Sequence, residues 1–257
     1  MGKKVWRAVV AVGASAVFTG MAAVPAGAAE GGVSFTRVQV NGGKPIVIGV
    51  SEEVAAPTSF RMATTKKWKW PAVFLYRGST GNSGERLWHA IETSDCHQVS
   101  SGVCDFNETM YFDPSEWDMR NSEAGAWKVA AEVSFTGGGG DTDDKGLTAY
   151  VKRNSRLSVN ASPEPVAKGK TITVTGKVTR ANWETRKYAS YGSRLVSLQF
   201  KPSGAASFTT VKKVHANGSG ALKTTVKASK TGAWRWAYYG NTTTGPSTSA
   251  ADNVVVR

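Results

Sequence analysis

Gly125-Ala126-Trp127-Lys128-Val129-Ala130-Ala131-Glu132-Val133-Ser134-Phe135 decides the fold class. Trp127, Val129, Ala131, Val133 and Phe135 share one face of an extended chain, with Lys128, Glu132 and Ser134 on the other. A period of two, rich in β-branched and aromatic residues, predicts a strand with one buried face. Ile172 and Val174 alternate likewise with Thr171, Thr173 and Thr175, and Leu222, Thr224 and Val226 with Lys223, Thr225 and Lys227. Asn41-Gly42-Gly43, Gly137 to Gly140, Asn217-Gly218-Ser219-Gly220 and Thr244-Gly245-Pro246 punctuate these runs as turns. No long helical periodicity is present, so the chain reads as all-β.

The same stretch exposes a repeat. Gly125-Ala126-Trp127-Lys128-Val129-Ala130 returns as Gly232-Ala233-Trp234-Arg235-Trp236-Ala237, 107 residues later. That interval suits one β-sandwich. Lys44-Pro45-Ile46-Val47-Ile48-Gly49-Val50 resembles Lys170-Thr171-Ile172-Thr173-Val174-Thr175-Gly176 at a separation of 126. Taken together, the two matches predict an insertion of 19 residues in the first half, around the Cys96–Cys104 loop. The linker falls near Arg153-Asn154-Ser155, and Pro163-Glu164-Pro165 is expected to stiffen the start of the second domain.

Charge divides the chain at the same place. Residues 30–153 carry 13 Lys+Arg against 16 Asp+Glu, a net of −3; residues 154–257 carry 16 against 3, a net of +13. A boundary this sharp predicts two domains and an anionic partner for the second.

The N-terminus has a basic start (Lys3, Lys4, Arg7), an apolar stretch from Ala8 to about Val24, and the small residues Ala26-Gly27-Ala28-Ala29. This is the pattern of a signal peptide, residues 1–29, cut after Ala28 or Ala29. No other stretch approaches the ~20 apolar residues of a spanning helix, so the mature chain is expected to lack a transmembrane segment. The two cysteines, Cys96 and Cys104, are expected to pair in an exported chain. Seven residues separate them, more than the about two to four of common zinc-binding pairs.

The run Leu157-Ser158-Val159-Asn160-Ala161-Ser162-Pro163-Glu164-Pro165-Val166, then Lys168-Gly169-Lys170-Thr171-Ile172-Thr173-Val174-Thr175-Gly176, resembles secreted actinobacterial (Streptomyces-like) proteins with tandem bacterial Ig-like domains. Gly232-Ala233-Trp234-Arg235 through Tyr239-Gly240-Asn241, and Asp252-Asn253-Val254-Val255-Val256, are similar too. The resemblance covers most of residues 30–257 and implies two Ig-like β-sandwich domains in tandem, 30–153 and 154–257, in an exported protein. It supplies no catalytic residue.

The residues themselves point to no catalytic set, no metal site and no cofactor. His89, His97 and His215 have no serine or cysteine motif beside them. Asp113-Pro114-Ser115-Glu116-Trp117-Asp118 is a loop cluster. Asp141-Thr142-Asp143-Asp144-Lys145-Gly146 imitates the start of a calcium loop, then fails where Lys145 and Lys152 replace acidic ligands, and reads as a solvated hairpin tip. In Lys66-Lys67-Trp68-Lys69-Trp70-Pro71, alternation places both indoles on one side, and Pro71 marks an edge or loop.

The ligand-facing candidate is Arg180 to Gly192, too polar and irregular for a strand, with Trp183, Tyr188 and Tyr191 for stacking and Arg186 and Lys187 for anions; the alternative is a long loop folded back, its aromatics covering the end of the sandwich. Lys212, Lys213, Lys223 and Lys227 lie on neighbouring predicted strands and join it as expected ligand-binding residues. The expected partners are anionic polysaccharide, a teichoic-type polymer or extracellular DNA. The protein is expected to be extracellular, with cell-wall association open, and to act as a non-catalytic binding or adhesion protein. The alternative is a structural spacer or accessory module without its own ligand.

Overall fold

In the computed structural model, which describes residues 32–80, 84–87, 90–93, 95–116 and 119–257, the alternating segments become strands. The signal peptide and its cut after Ala28 or Ala29, His89, and the Trp117–Asp118 end of the acidic loop cluster lie outside the described residues. The first half contributes β1 (Val33–Val40), β2 (Ile46–Ile48), β3 (Val54–Thr64), β4 (Trp68–Arg77), β5 (Glu85–Leu87), β6 (Ala90–Thr93), β7 (His97–Ser100), β8 (Val103–Phe112), β9 (Gly125–Phe135) and β10 (Gly140–Arg153). The second contributes β11 (Ser155–Ser162), β12 (Thr171–Asn182), β13 (Lys187–Ser190), β14 (Leu195–Pro202), β15 (Thr209–His215), β16 (Ala221–Lys227), β17 (Gly232–Tyr238), β18 (Ser247–Thr248) and β19 (Asp252–Val254).

These strands make two Ig-like β-sandwiches in tandem. In the first, β1-β3-β8-β6, with β7 also on β8, faces β2-β10-β9-β4-β5. In the second, β11-β12 with β13 and β16 on the far side of β12 faces β15-β14-β17 with β18 and β19. The leading strand of each sandwich changes sheets. β1 pairs with β3, and β2 then runs parallel to β10; β11 pairs with β12, and Val166 then bridges Val256 in parallel. Pro163 and Pro165 sit at this crossing, so they shape the first strand of the second sandwich and not the linker.

The tryptophan repeat marks equivalent places. β9 lies against β4 and β17 against β14, each inside its sheet, and Trp127, Trp234 and Trp236 are buried in the cores. The other match does not hold. Ile46–Ile48 is a short edge strand, whereas Thr171–Asn182 is the long central β12, whose counterpart is β3. The first sandwich instead gains length between β4 and β8, 25 residues against 18 between β14 and β16, and between β8 and β9, 12 residues against 4 between β16 and β17. The Cys96–Cys104 disulfide closes the β7–β8 hairpin inside this longer stretch, with Cα atoms 5.3 Å apart.

Two local readings change for physical reasons. A register shift between Trp68 and Trp70 breaks the alternation in β4. Trp68 turns inward, edge-on to Phe106 at 5.5 Å, while Trp70 stays 48% exposed. Pro71 is tolerated because β4 at that point pairs with β9 alone, β5 joining only at Leu75. Asp141–Asp144 are not a hairpin tip. They lie in β10 opposite residues 130–133 of β9, and a second shift lets Lys145 reach Asp143 and the carbonyl of Phe35.

One core group works against its surroundings. Glu108, on the inward face of β8, is 3% exposed. Its Oε2 accepts the Val73 N–H at 3.3 Å, and its Oε1 has no partner among the described residues. Burial pushes its carboxyl up to about 7, against the opposing pull of the Val73 N–H. The unfolded chain ionises near pH 4.5 and the folded one does not, so stability falls as pH rises between the two values and the loss is complete above 7. Glu108→Gln is therefore expected to stabilise the protein at pH 8 by up to about 3 kcal/mol and to change little at pH 4. Urea unfolding at both pH values measures this; an equal effect at the two would remove the carboxylate as the cause.

Candidate functional site

The Arg180–Gly192 segment is a hairpin and not an irregular loop. Its polar residues disguise a continuation of β12 through Asn182, with β13 returning so that Asn182 pairs with Lys187 and Thr179 with Ser190. The Asn182 side chain accepts the Thr185 N–H at 3.1 Å, and Arg186 takes a left-handed φ of 52°, which closes the turn.

This hairpin extends past the second core and packs on the first sandwich. Trp183 is 2% exposed and belongs to the first core, its Nε1 donating to the carbonyl of Ile48 at 3.3 Å. Asn121, between β8 and β9, accepts the Trp183 N–H at 3.2 Å through its side chain. The Asn121 side chain donates to Asn182 and Glu184, and its N–H donates to the other Glu184 oxygen. These bonds, the backbone one foremost, hold the Glu184 carboxyl below its ordinary pKa. Arg153 ends β10, is buried, and donates to the carbonyl of Ala181 at 2.5 Å. Burial, with Arg180 nearby, brings its pKa down to about 10.

The aromatic candidates are therefore occupied. Trp183 offers no face to a ligand. Tyr191 is 7% exposed; its hydroxyl accepts from Asn241 and Thr244, and Arg180 and Arg194 lie 4.2 and 4.9 Å from its ring. Tyr188 is half-buried under the Arg156 guanidinium at 3.7 Å. Arg186 and Lys187 are exposed.

The four lysines divide between two surfaces. β15 is an edge of one sheet and β16 an edge of the other. Lys213 pairs with Ser197 on the outer face of β15-β14-β17, and Lys212 alternates to the other side. Lys223 and Lys227 point outward from β16, opposite Leu222 and Val226.

Around Lys223 and Lys227 a regular surface emerges. The inward residues of β11-β12-β16 are Ala161, Ile172, Val174, Val178 and Leu222, which sends the alternate residues to solvent. The outward rows are Arg156–Thr179, Ser158–Lys177–Ala221, Asn160–Thr175–Lys223, Ser162–Thr173–Thr225 and Thr171–Lys227. None of these residues is acidic or aromatic. Arg156, Lys177 and Lys223 form a diagonal, each step one strand across and two residues along, a spacing of ~7–8 Å between Cα atoms. Arg156 and Lys177 were missed in the sequence. The signal for Lys177 was present, since it continues the Thr171-Thr173-Thr175 alternation. Placing Arg156 beside it required the register of β11 on β12.

No protein-family model matches the chain, and no curated protein matches it. Among solved structures it is similar to the D00-D0 domain of Intimin, with 14% identity over 87% of this chain and 99% of that one, TM-score 0.29. It is also similar to fibronectin(III)-like modules of Clostridium thermocellum CbhA, with 11% identity, 85% and 92% coverage and a TM-score of 0.31. A third is the Yersinia pseudotuberculosis adhesin InvE, with 11% identity, 89% and 61% coverage and a TM-score of 0.29. At these identities and TM-scores the likeness carries nothing about ligands.

Trp183→Ala separates packing from ligand contact. Removing a buried indole is expected to cost about 3–5 kcal/mol of stability, read by chemical denaturation. Retention of the folded variant on a polyanion column should not change; weakened retention at unchanged stability would restore Trp183 as a contact residue.

Proposed function

We propose that this chain is an exported, non-catalytic binding protein whose second sandwich engages an anionic polymer outside the cell. The observation that carries this reading is the outer face of β11-β12-β16, where Lys177, Lys223 and Lys227 stand among hydroxyls, with Arg156 stacked on Tyr188 at its end and no carboxylate in its rows. Cations spaced along a flat sheet suit repeated charges on a long chain, each contact releasing a counterion. The second half's net charge of +13 draws such a polymer in from a distance. Anionic polysaccharide, teichoic-type polymer and extracellular DNA all present this chemistry. Export is supported by the N-terminal pattern and by the disulfide, which persists in oxidising surroundings. No helix among the described residues is long and apolar enough to cross a membrane.

The spacer reading rests on a different observation. A single residue, Asn154, separates β10 from β11; its N–H donates to Ile48 and its carbonyl accepts from Ala181. Such a junction fixes the distance between whatever each end holds.

Chromatography of the full mature chain on heparin and on teichoic-acid-bearing wall decides between them. The binding reading expects retention at low salt. In a salt titration against duplex DNA, the negative slope of log K against log salt should become shallower by about 0.9 for each contacting cation replaced in Lys177→Gln, Lys223→Gln and Lys227→Gln. Negligible retention at low salt selects the spacer.

A further inference from the structure

The opposite face of the second sandwich carries the most exposed large aromatic side chain among the described residues. Tyr239 follows the end of β17 and is 67% exposed, yet its hydroxyl is anchored. Gln199 on β14 donates to it from Nε2 at 3.2 Å. Thr210, then Ser197 and Gln199, hold the phenol below its ordinary pKa. Register fixes what this means for the ring. Gln199 pairs with Arg235 and with Thr210, and Ser197 pairs with Ala237 and Lys213. To reach Gln199 from beyond Tyr238, the phenol must lie back across the Ser197–Ala237 row. Both residues of that row are buried although they point outward. The floor is small and the ring lies along it, so one aromatic face is turned to solvent.

The same glutamine sets the neighbouring cation. Its Oε1 accepts from Arg235 Nε at 2.7 Å, and the guanidinium stacks on Phe208 at 3.9 Å. The two terminal nitrogens of Arg235 have no hydrogen-bond partner among the described residues. One amide thus holds an open aromatic face and a guanidinium fork side by side. Lys213 and Lys201 point to this face as well, and the outward residues of β14, β15 and β17 include no carboxylate.

We infer that Tyr239, Gln199 and Arg235 form a binding site for a carboxylate-bearing sugar chain, the tyrosine stacking on a sugar ring and the arginine pairing with its carboxylate. The electron-rich ring face matches the partly positive C–H edges of a pyranose. The guanidinium fork matches a carboxylate in two hydrogen bonds. A single-stranded nucleic acid fits less well, because it calls for successive stacking rings and Phe208 is already covered by Arg235. The site lies on the other sheet from the Lys177–Lys223–Lys227 face and stands independently of it.

Calorimetric titration of the full mature chain with an oligogalacturonate, and with a neutral oligogalactan for comparison, tests this. Wild type should bind the acidic probe more tightly than the neutral one. Tyr239→Ala should weaken both by at least about fivefold, and Arg235→Gln should weaken the acidic probe by about tenfold and leave the neutral one unchanged. Tyr239→Phe keeps the ring without its hydroxyl anchor and should fall between wild type and Tyr239→Ala. Lys223→Gln with Lys227→Gln should weaken duplex-DNA binding and leave the neutral-probe titration as in wild type, while Tyr239→Ala leaves duplex-DNA binding intact; these two results separate the site from the polyanion face. Amide NMR shifts on adding the neutral probe should gather at Ala237 and Gln199, away from Thr173. No saturable binding of either probe by wild type, or a Tyr239→Ala variant that binds like wild type, overturns the assignment.

Discussion

Trp183 belongs to the second sandwich by sequence and to the first by packing, and that contact sets the relation between the two halves. The indole lies in a core with Ile48 and donates to its carbonyl, while Asn121 ties Asn182 and Glu184 to the stretch before β9. On the chain side of the junction, Arg153 donates to the carbonyl of Ala181, and the N–H of Gly245 donates to the carbonyl of Arg153. A buried guanidinium is costly unless its donors are met, and here Nε of Arg153 meets the carbonyl of Ala181. The linker has one residue because the hairpin, the β10 end and the 241–245 turn together do the work of a longer connector.

That constraint decides which surfaces of the second sandwich stay open. The hairpin consumes the aromatics that look most like a stacking platform, and the first sandwich covers one end of the β11-β12-β16 sheet. What stays open is the length of that sheet's outer face and the outer face of β15-β14-β17 around its buried Ser197–Ala237 row. Each is floored by short side chains, hydroxyls on one and Ser197 with Ala237 on the other. Long side chains stand out singly above these floors. A flat sheet can present separate chemistries on its two sides because alternation keeps both sets apart from the core.

Charge is distributed in keeping with this geometry. The first sandwich pairs its charges internally, as Arg61 does with Asp105 at 2.6 Å and Arg86 with Glu132 at 3.0 Å. In the second, two of the three acidic residues are committed: Glu184 to Asn121 and Asp252 to the N–H of Ala161. The cations of both outer faces are left without acidic neighbours, which is why a net charge read from composition becomes a surface property.

Alternation and the tryptophan repeat were enough to specify an all-β chain of two similar units, because side-chain period and burial are local properties of an extended backbone. The Cys96–Cys104 pair was legible for the same reason, its partners lying within one hairpin. The readings that failed depended on register. A single shift in β4 sent Trp68 and Trp70 to opposite sides, and the Lys44–Val50 match joined an edge strand to a central one. Lys212, Lys213, Lys223 and Lys227 look contiguous along the chain, yet β15 and β16 close different sheets, so the lysines part. Tyr239, Gln199 and Arg235 gave no sequence signal, since 40 residues separate the tyrosine from the glutamine that holds it. Local pattern determined which residues face inward; only the long-range pairing of strands decided which outward residues meet.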